Sequence, residues 1–458
     1  MEFNDKEYEK FININITEEC LENYEKQYLE GKISFPDFCL KISFQYSLGL
    51  HYADLFKERV LLGGELYKGI WRTDEKYNKS IFWYLTAINE FSNYNTSEDE
   101  LVLLKKIYVN LGNEYMLQLR YFEAIESYDE ALKIDSNFSM AIANRLYAIE
   151  KLTLMKQCVD NGKLFNYFLT NYIAFDANKM ENGSEQFKKK QEYYKNLKQK
   201  YAKLYMNNKL CFNPENKFEI CKAGNNYTDF IHRNRLILNP ASCLGNYSEG
   251  MNDSLLLLDK NCKWYTDLES LQKEFRFLRE KLFLNATLKT TNSSEEISLT
   301  FKGFYSLFDK AAFFIYRYFD LDLSEDKVYY NNVWDAKTKD GYKLLDIRST
   351  HLYSLYWINK EYKTVRAGAS YKDLFSPEGQ KLYELRNVLE HRISSRNFQD
   401  NLLLVMKTIK LASVIRNVLL YLNLLIYDES NPALYENDKR RLDLVYLPLD
   451  DGMWNLFK

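Results

Sequence analysis

The chain has 458 residues, enough for two or three domains with cores of their own. Its formal net charge is -2, which excludes a basic field over the whole chain, so any surface for nucleic acid must be local. With 38 Tyr and 29 Phe against 6 Pro and 16 Gly, the composition has many amphipathic rings and few breakers, and it predicts an all-α chain of long helices.

The first residues, Met1 to Glu7, are polar and acidic, unlike a secretory signal. The cysteines, Cys20, Cys39, Cys158, Cys211, Cys221, Cys243 and Cys262, form no Cys-x-x-Cys pair, the pattern of a reduced, cytoplasmic protein. Cys211, Cys221 and His232 fit no common zinc spacing, so neither a metal site nor a cofactor is expected.

Residues 1–155 carry a repeat. Its clearest copy runs Tyr108 to Tyr115 and then Tyr121 to Asp135, with Leu111, Gly112, Tyr115, Ala124, Tyr128 and Ala131 at regular offsets. Gly112 and Ala124 are small where two antiparallel helices would approach closely, while Tyr128 and Ala131 would fill the seam with the next helix. Ser80, Tyr84 and Ala87 repeat the small, aromatic, small order of a second helix. Ser80 lies 44 residues before Ala124 (124 minus 80), so either one unit carries an insertion or the repeat is degenerate. The segments Leu48-Gly49-Leu50-His51-Tyr52 and Leu62-Gly63-Gly64-Glu65-Leu66-Tyr67 both echo a first helix, and Ala141 to Ala148 begins another. These segments resemble tetratricopeptide (TPR) units, with Ser136 where the closing proline is usual. One such unit cannot bury its own face, so a short solenoid is expected. The resemblance also implies a protein or peptide partner, a trigger or an antitoxin, on the repeat face.

Residues 156–254 read as a helical extension and junction. Tyr194, Leu197, Tyr201 and Leu204 align on one helix face, and Lys188, Lys189, Lys190, Lys195, Lys198, Lys200 and Lys203 crowd the rest. A solvated face is the preferred account, with phosphate tracking as the other. In Asn234 to Pro240, an apolar run ends in Asn-Pro, a turn with a structural role.

Residues 255–458 contain amphipathic helices at 268–283, 299–319, 377–393 and 399–427, a four-helix bundle if the order is up-down. Phe304, Leu307, Phe308, Ala311, Phe314 and Ile315 mark the inner face of the second. The insert before the third, including the apolar piece 352–358, is expected to be irregular. Residues 411–426 are apolar but broken by Arg416, Asn417 and Asn423, which predicts a buried helix and no membrane span.

At 100° per residue, Leu382, Leu385, Leu389 and Ile393 form an apolar stripe on the third helix, with Asn387 and His391 one turn apart on the opposite face. Arg386 lies between the faces. The spacing Arg386-Asn387-x-x-x-His391 resembles the signature of the HEPN superfamily, many of whose members are metal-independent ribonucleases. Its surroundings are similar to the HEPN branch fused to a TPR half, and Asn234 to Pro240 is similar to the junction of that branch. The fold expected is therefore an N-terminal TPR-like solenoid followed by a HEPN-like bundle.

An imidazole titrates near neutral pH, so His391 has the proton chemistry for RNA cleavage. Arg386 would hold the scissile phosphate in a charge-assisted fork, and Asn387 would bind the ring or the phosphate. The products would be a 2′,3′-cyclic phosphate and a 5′-hydroxyl. The resemblance implies a homodimer whose two copies complete one cleft, acting on RNA as a growth-arrest effector in phage defence or a toxin system. Glu390 and Glu384 could orient His391 or repel RNA, while Arg392, Arg396, Lys407 and Lys410 are candidates for its backbone. Arg386 equally suits a buried ion pair with Asp309, whose structural pairing is favoured over a supporting role in the site. His51, His232 and His351 are expected to be structural. The alternatives are a non-catalytic nucleotide- or protein-binding HEPN/TPR module and a plain TPR scaffold.

Overall fold

The computed structural model describes residues 2–13, 17–63, 78–91, 97–154, 227–239, 242, 253, 263–287, 293–346, 349–362, 376–391 and 401–429, with a few positions between 185 and 196. Among them the regular elements are helices, with isolated bridges such as Leu321 to Thr338. They fall into two compact units, one drawn from Met1–Lys209 and Lys360–Gln380, the other from Leu210–Asn359 and Lys381–Asn437.

The first unit opens with α1 (Asp5–Asn13), α2 (Glu18–Leu29), α3 (Phe38–Gly63) and α4 (Lys79–Phe91). Its aromatic wealth becomes a core here: the Phe44 ring lies 4.8 Å from Phe3 and 5.0 Å from Phe11. The buried Glu25 carboxylate accepts from Lys79, from the Tyr52 hydroxyl and from the Trp83 indole. Then come α5 (Glu98–Leu117), α6 (Tyr121–Ile134) and α7 (Ser139–Leu154). A capping box starts α5, Ser97 and Glu100 each satisfying the other's backbone N–H.

The helices α5 and α6 form the repeat unit expected from Gly112 and Tyr128. A Cβ on Gly112 would stand 2.4 Å from the Tyr128 ring, so that ring lies against the glycine of its own unit. Its hydroxyl donates to Asn113 Oδ1 at 2.8 Å. The same contact recurs between α3 and α4, where a Cβ on Gly49 would stand 2.5 Å from Tyr84. Gly49 and Tyr84 are 35 residues apart and Gly112 and Tyr128 are 16, so the earlier unit carries 19 extra residues (35 minus 16) between its helices. The insertion separates the two helices of that earlier unit and lies before Ser80, outside the interval from Ser80 to Ala124. The first helix of that unit is the Leu48 to Tyr52 segment; residues 64–67 of the rival segment lie outside the described residues. Asn110 donates to the Tyr46 hydroxyl at 2.7 Å and Asn144 to Asn113 at 2.9 Å, which ties α3, α5 and α7 into one stack.

Because Tyr128 is fully buried, it has little room to give way. Gly112→Ala is expected to cost roughly 1–3 kcal/mol, as overpacked cores do. Urea unfolding of the variant should show the lower midpoint, and an unchanged midpoint would mean that the ring yields freely.

The second unit begins with α8 (Tyr227–Arg233), followed by Leu236, Ile237 and Leu238, all buried. The apolar run of the junction is thus part of this core, while Pro240 of the Asn-Pro turn lies outside the described residues. Arg279 donates to the Leu236 carbonyl and forms a two-pronged pair with Asp253 at 2.8 Å. Arg416 donates to the Ile237 carbonyl at 2.9 Å and to Ser242 Oγ at 2.6 Å. The long helices α9 (Tyr265–Thr287), α10 (Ser293–Tyr318) and α13 (Asn401–Glu429) pack on one another. Between them in sequence stand α11 (Thr350–Tyr362) and α12 (Pro377–His391).

The region containing 352–358 is not wholly irregular. Helix α11 is regular, and every residue from His351 to Asn359 is buried. A helix that is covered all round has no polar face, so it shows no amphipathic period. Inside α13, Leu402–Ile426 is long and apolar enough to cross a membrane, and 83% of its most apolar window is buried within the fold. Arg416, Asn417 and Asn423 are buried with it.

Burial by itself would raise the Asp253 carboxyl, but the Arg279 fork and the Leu238 N–H overcome it and hold the pKa below the usual carboxylate range. Stability from this group is therefore present above the unfolded pKa near 4 and lost as pH falls through the lower folded value. Acid unfolding followed by circular dichroism should show a shallower pH dependence below about pH 4 in Asp253→Asn than in the wild type. Identical slopes would contradict this account.

Candidate active site

Ser376 and Pro377 start α12 for clear local reasons. The serine hydroxyl accepts the Gly379 N–H at 3.2 Å, and proline at the first helical position has no N–H to leave unsatisfied. Gly379 has to be small: a Cβ there would stand 2.6 Å from the Glu361 carbonyl oxygen. Along the apolar stripe, Leu382 is buried while Leu385 and Leu389 are half-buried; Ile393 lies outside the described residues.

Arg386 is half-buried, and its guanidinium sits over the Tyr305 ring of α10, 4.8 Å from the centroid. That ring is in turn set by Phe301 and Phe308, with centroids at 6.3 and 5.7 Å. Asn387 is half-buried and Glu384 exposed. His391 is the last residue of the helix, four after Asn387, so the two positions share a face. The side chains of Glu390 and His391, and all of Arg392 and Arg396, lie outside what the structure describes.

Asp309 stands one helical turn beyond Tyr305 on α10. Its carboxylate accepts the Tyr330 N–H at 3.2 Å, which holds the insert after α10. Tyr330 continues that role, its hydroxyl donating to the Leu355 carbonyl and its own carbonyl accepting from Asn359 at 2.6 Å. On α13, Lys407 is half-buried and Lys410 exposed. Most of the lysine run near 188–203 is outside the described residues; Lys188 and Lys189 are exposed, and Lys189 pairs with Glu185 at 3.3 Å. His351 is fully buried, its ring 6.2 Å from Tyr421, and His51 packs edge-on against Phe11 at 5.1 Å. Burial lowers the His51 pKa.

The residue that the sequence argument overlooked is Tyr305. Its signal was the spacing Phe301, Tyr305, Phe308, which was absorbed into the apolar face of α10.

Residues 265–429 match the family model described as LA2681-like HEPN, and residues 106–138 match the tetratricopeptide repeat. The first match starts at the first residue of α9 and ends at the last of α13. The chain carries an LA2681-like HEPN domain, preceded by TPR. No curated protein and no solved structure matches it. HEPN domains are generally associated with ribonucleases, and TPR units with protein interaction. Within the HEPN domain, the Arg386 to His391 segment is on α12, the fourth of the five α-helices among its described residues.

Proposed function

We propose that this HEPN domain is a metal-independent endoribonuclease that leaves 2′,3′-cyclic phosphate and 5′-hydroxyl ends. The observation that carries the proposal is the placement of Arg386, Asn387 and His391 within six residues of one HEPN helix, with Arg386 over the Tyr305 ring. His391 moves the proton between the 2′-hydroxyl and the leaving oxygen. Arg386 binds the phosphate and offsets the charge that builds on it. One helix supplies one Arg and one His, and the HEPN resemblance implies that a second copy completes the cleft, so the active form proposed is a homodimer. Arg392, Arg396, Lys407 and Lys410 track the RNA backbone, and Glu390 orients the imidazole. The TPR half regulates cleavage through a protein or peptide, and the biological outcome is growth arrest in phage defence or a toxin system, in the cytoplasm.

The half-burial of Arg386 favours a second reading, a non-catalytic module in which that side chain only packs. Total RNA incubated with purified protein in EDTA, beside His391→Ala, separates the two. Cleavage by the wild type alone is the expected result. Equal inertness of both proteins selects the binding module, and activity that disappears on chelation contradicts the metal-free route.

A further inference from the structure

We infer that Tyr305 is a positioning residue for Arg386, presenting its guanidinium to an RNA phosphate by stacking; this rests on the ribonuclease reading above. Tyr305 and Arg386 come from different helices, α10 and α12, and the Arg386 Cζ lies over the Tyr305 ring, 4.8 Å from its centroid. The ring has a fixed setting, because Phe301 and Phe308 flank it on the same helix. An arginine side chain has about 2 kcal/mol of rotamer entropy to lose on being held, so a free one in a site would sample many directions. Stacking engages the flat face of the guanidinium and removes much of that freedom. It does not use the in-plane N–H donors through which a phosphate is bound bidentately. A rigid ring under a guanidinium therefore sets its plane and aims its fork.

The ring, and not the hydroxyl, does this, which makes the test specific. Tyr305→Phe keeps the platform; Tyr305→Leu removes it at similar bulk. Cleavage of a fluorescent RNA by Tyr305→Leu is expected to fall roughly three- to tenfold, with the loss in kcat and little change in KM. Tyr305→Phe should cleave as the wild type does. In an Arg386→Ala background, Tyr305→Leu should cause no further loss, whereas a merely structural tyrosine would still cost activity there. In protein labelled with [15N]arginine, the Arg386 Nε–H signal, assigned with Arg386→Lys, should carry a ring-current shift that Tyr305→Phe keeps and Tyr305→Leu abolishes.

Wild-type cleavage by Tyr305→Leu, or an equal loss in Tyr305→Phe, overturns the inference. If the wild type cleaves no RNA, the ribonuclease reading fails by itself, and the ring-current signal alone decides whether Tyr305 holds the guanidinium.

Discussion

His391→Ala is expected to lose RNA cleavage by roughly 10²- to 10⁴-fold, the range over which a positioned acid–base group contributes. Arg386→Ala is expected to lose roughly 10²- to 10³-fold, as when one donor to a developing oxyanion is removed. The measurement is the initial rate on a fluorescent RNA in EDTA, with circular dichroism to show that the helices persist. Arg386→Lys sharpens the result, since it keeps the charge but lacks the planar fork of the guanidinium that lies over the Tyr305 ring. A lysine variant that is as poor as the alanine one would show that geometry matters beyond charge. A His391→Ala protein that cleaves at the wild-type rate would remove the proposed chemistry, whatever else the domain binds.

Arg120→Met is expected to cost about 3–5 kcal/mol, the usual effect of breaking a buried ion pair by removing one partner. Arg120 and Glu361 are each 2% exposed, and their side chains are hydrogen-bonded to one another. Arg120 also donates to Glu123 and Gln118 and lies 4.4 Å above the Tyr115 ring. Methionine fills much of the same volume, so the loss comes from leaving the Glu361 carboxylate buried without its cation. Adding Glu361→Gln to Arg120→Met removes that stranded charge and should recover a large part of the loss. Urea unfolding of the wild type and the two variants checks both statements. A single variant as stable as the wild type would show that the pair contributes nothing net.

Gly112 and Tyr128 illustrate what a linear pattern can carry. A glycine on one helix and a tyrosine on the next specify a close approach, and the structure has that approach twice, at Gly49 with Tyr84 and at Gly112 with Tyr128. What hid the first copy was the 19-residue insertion, which parts the glycine from its tyrosine in sequence without changing the contact. Helix α11 was hidden for the opposite reason: it is buried on all sides, so there was no polar face to mark its turns. The candidate site divides in the same way. The helical face shared by Asn387 and His391 follows from local periodicity alone. The partner of Arg386 does not, because Tyr305 is 81 residues away (386 minus 305) and meets it only through packing of two helices.

By itself, then, the amino-acid order determined the helical class and the helix that carries Arg386, Asn387 and His391, since each depends on residues within a turn or two of one another. Only the tertiary structure decided that Arg386 lies over Tyr305, that Asp309 holds the Tyr330 turn, and that Arg279 and Arg416 clamp the 236–238 segment. Those contacts join distant stretches of chain. A cation's choice among several rings, carboxylates and carbonyls is settled by which of them the packed helices bring within reach.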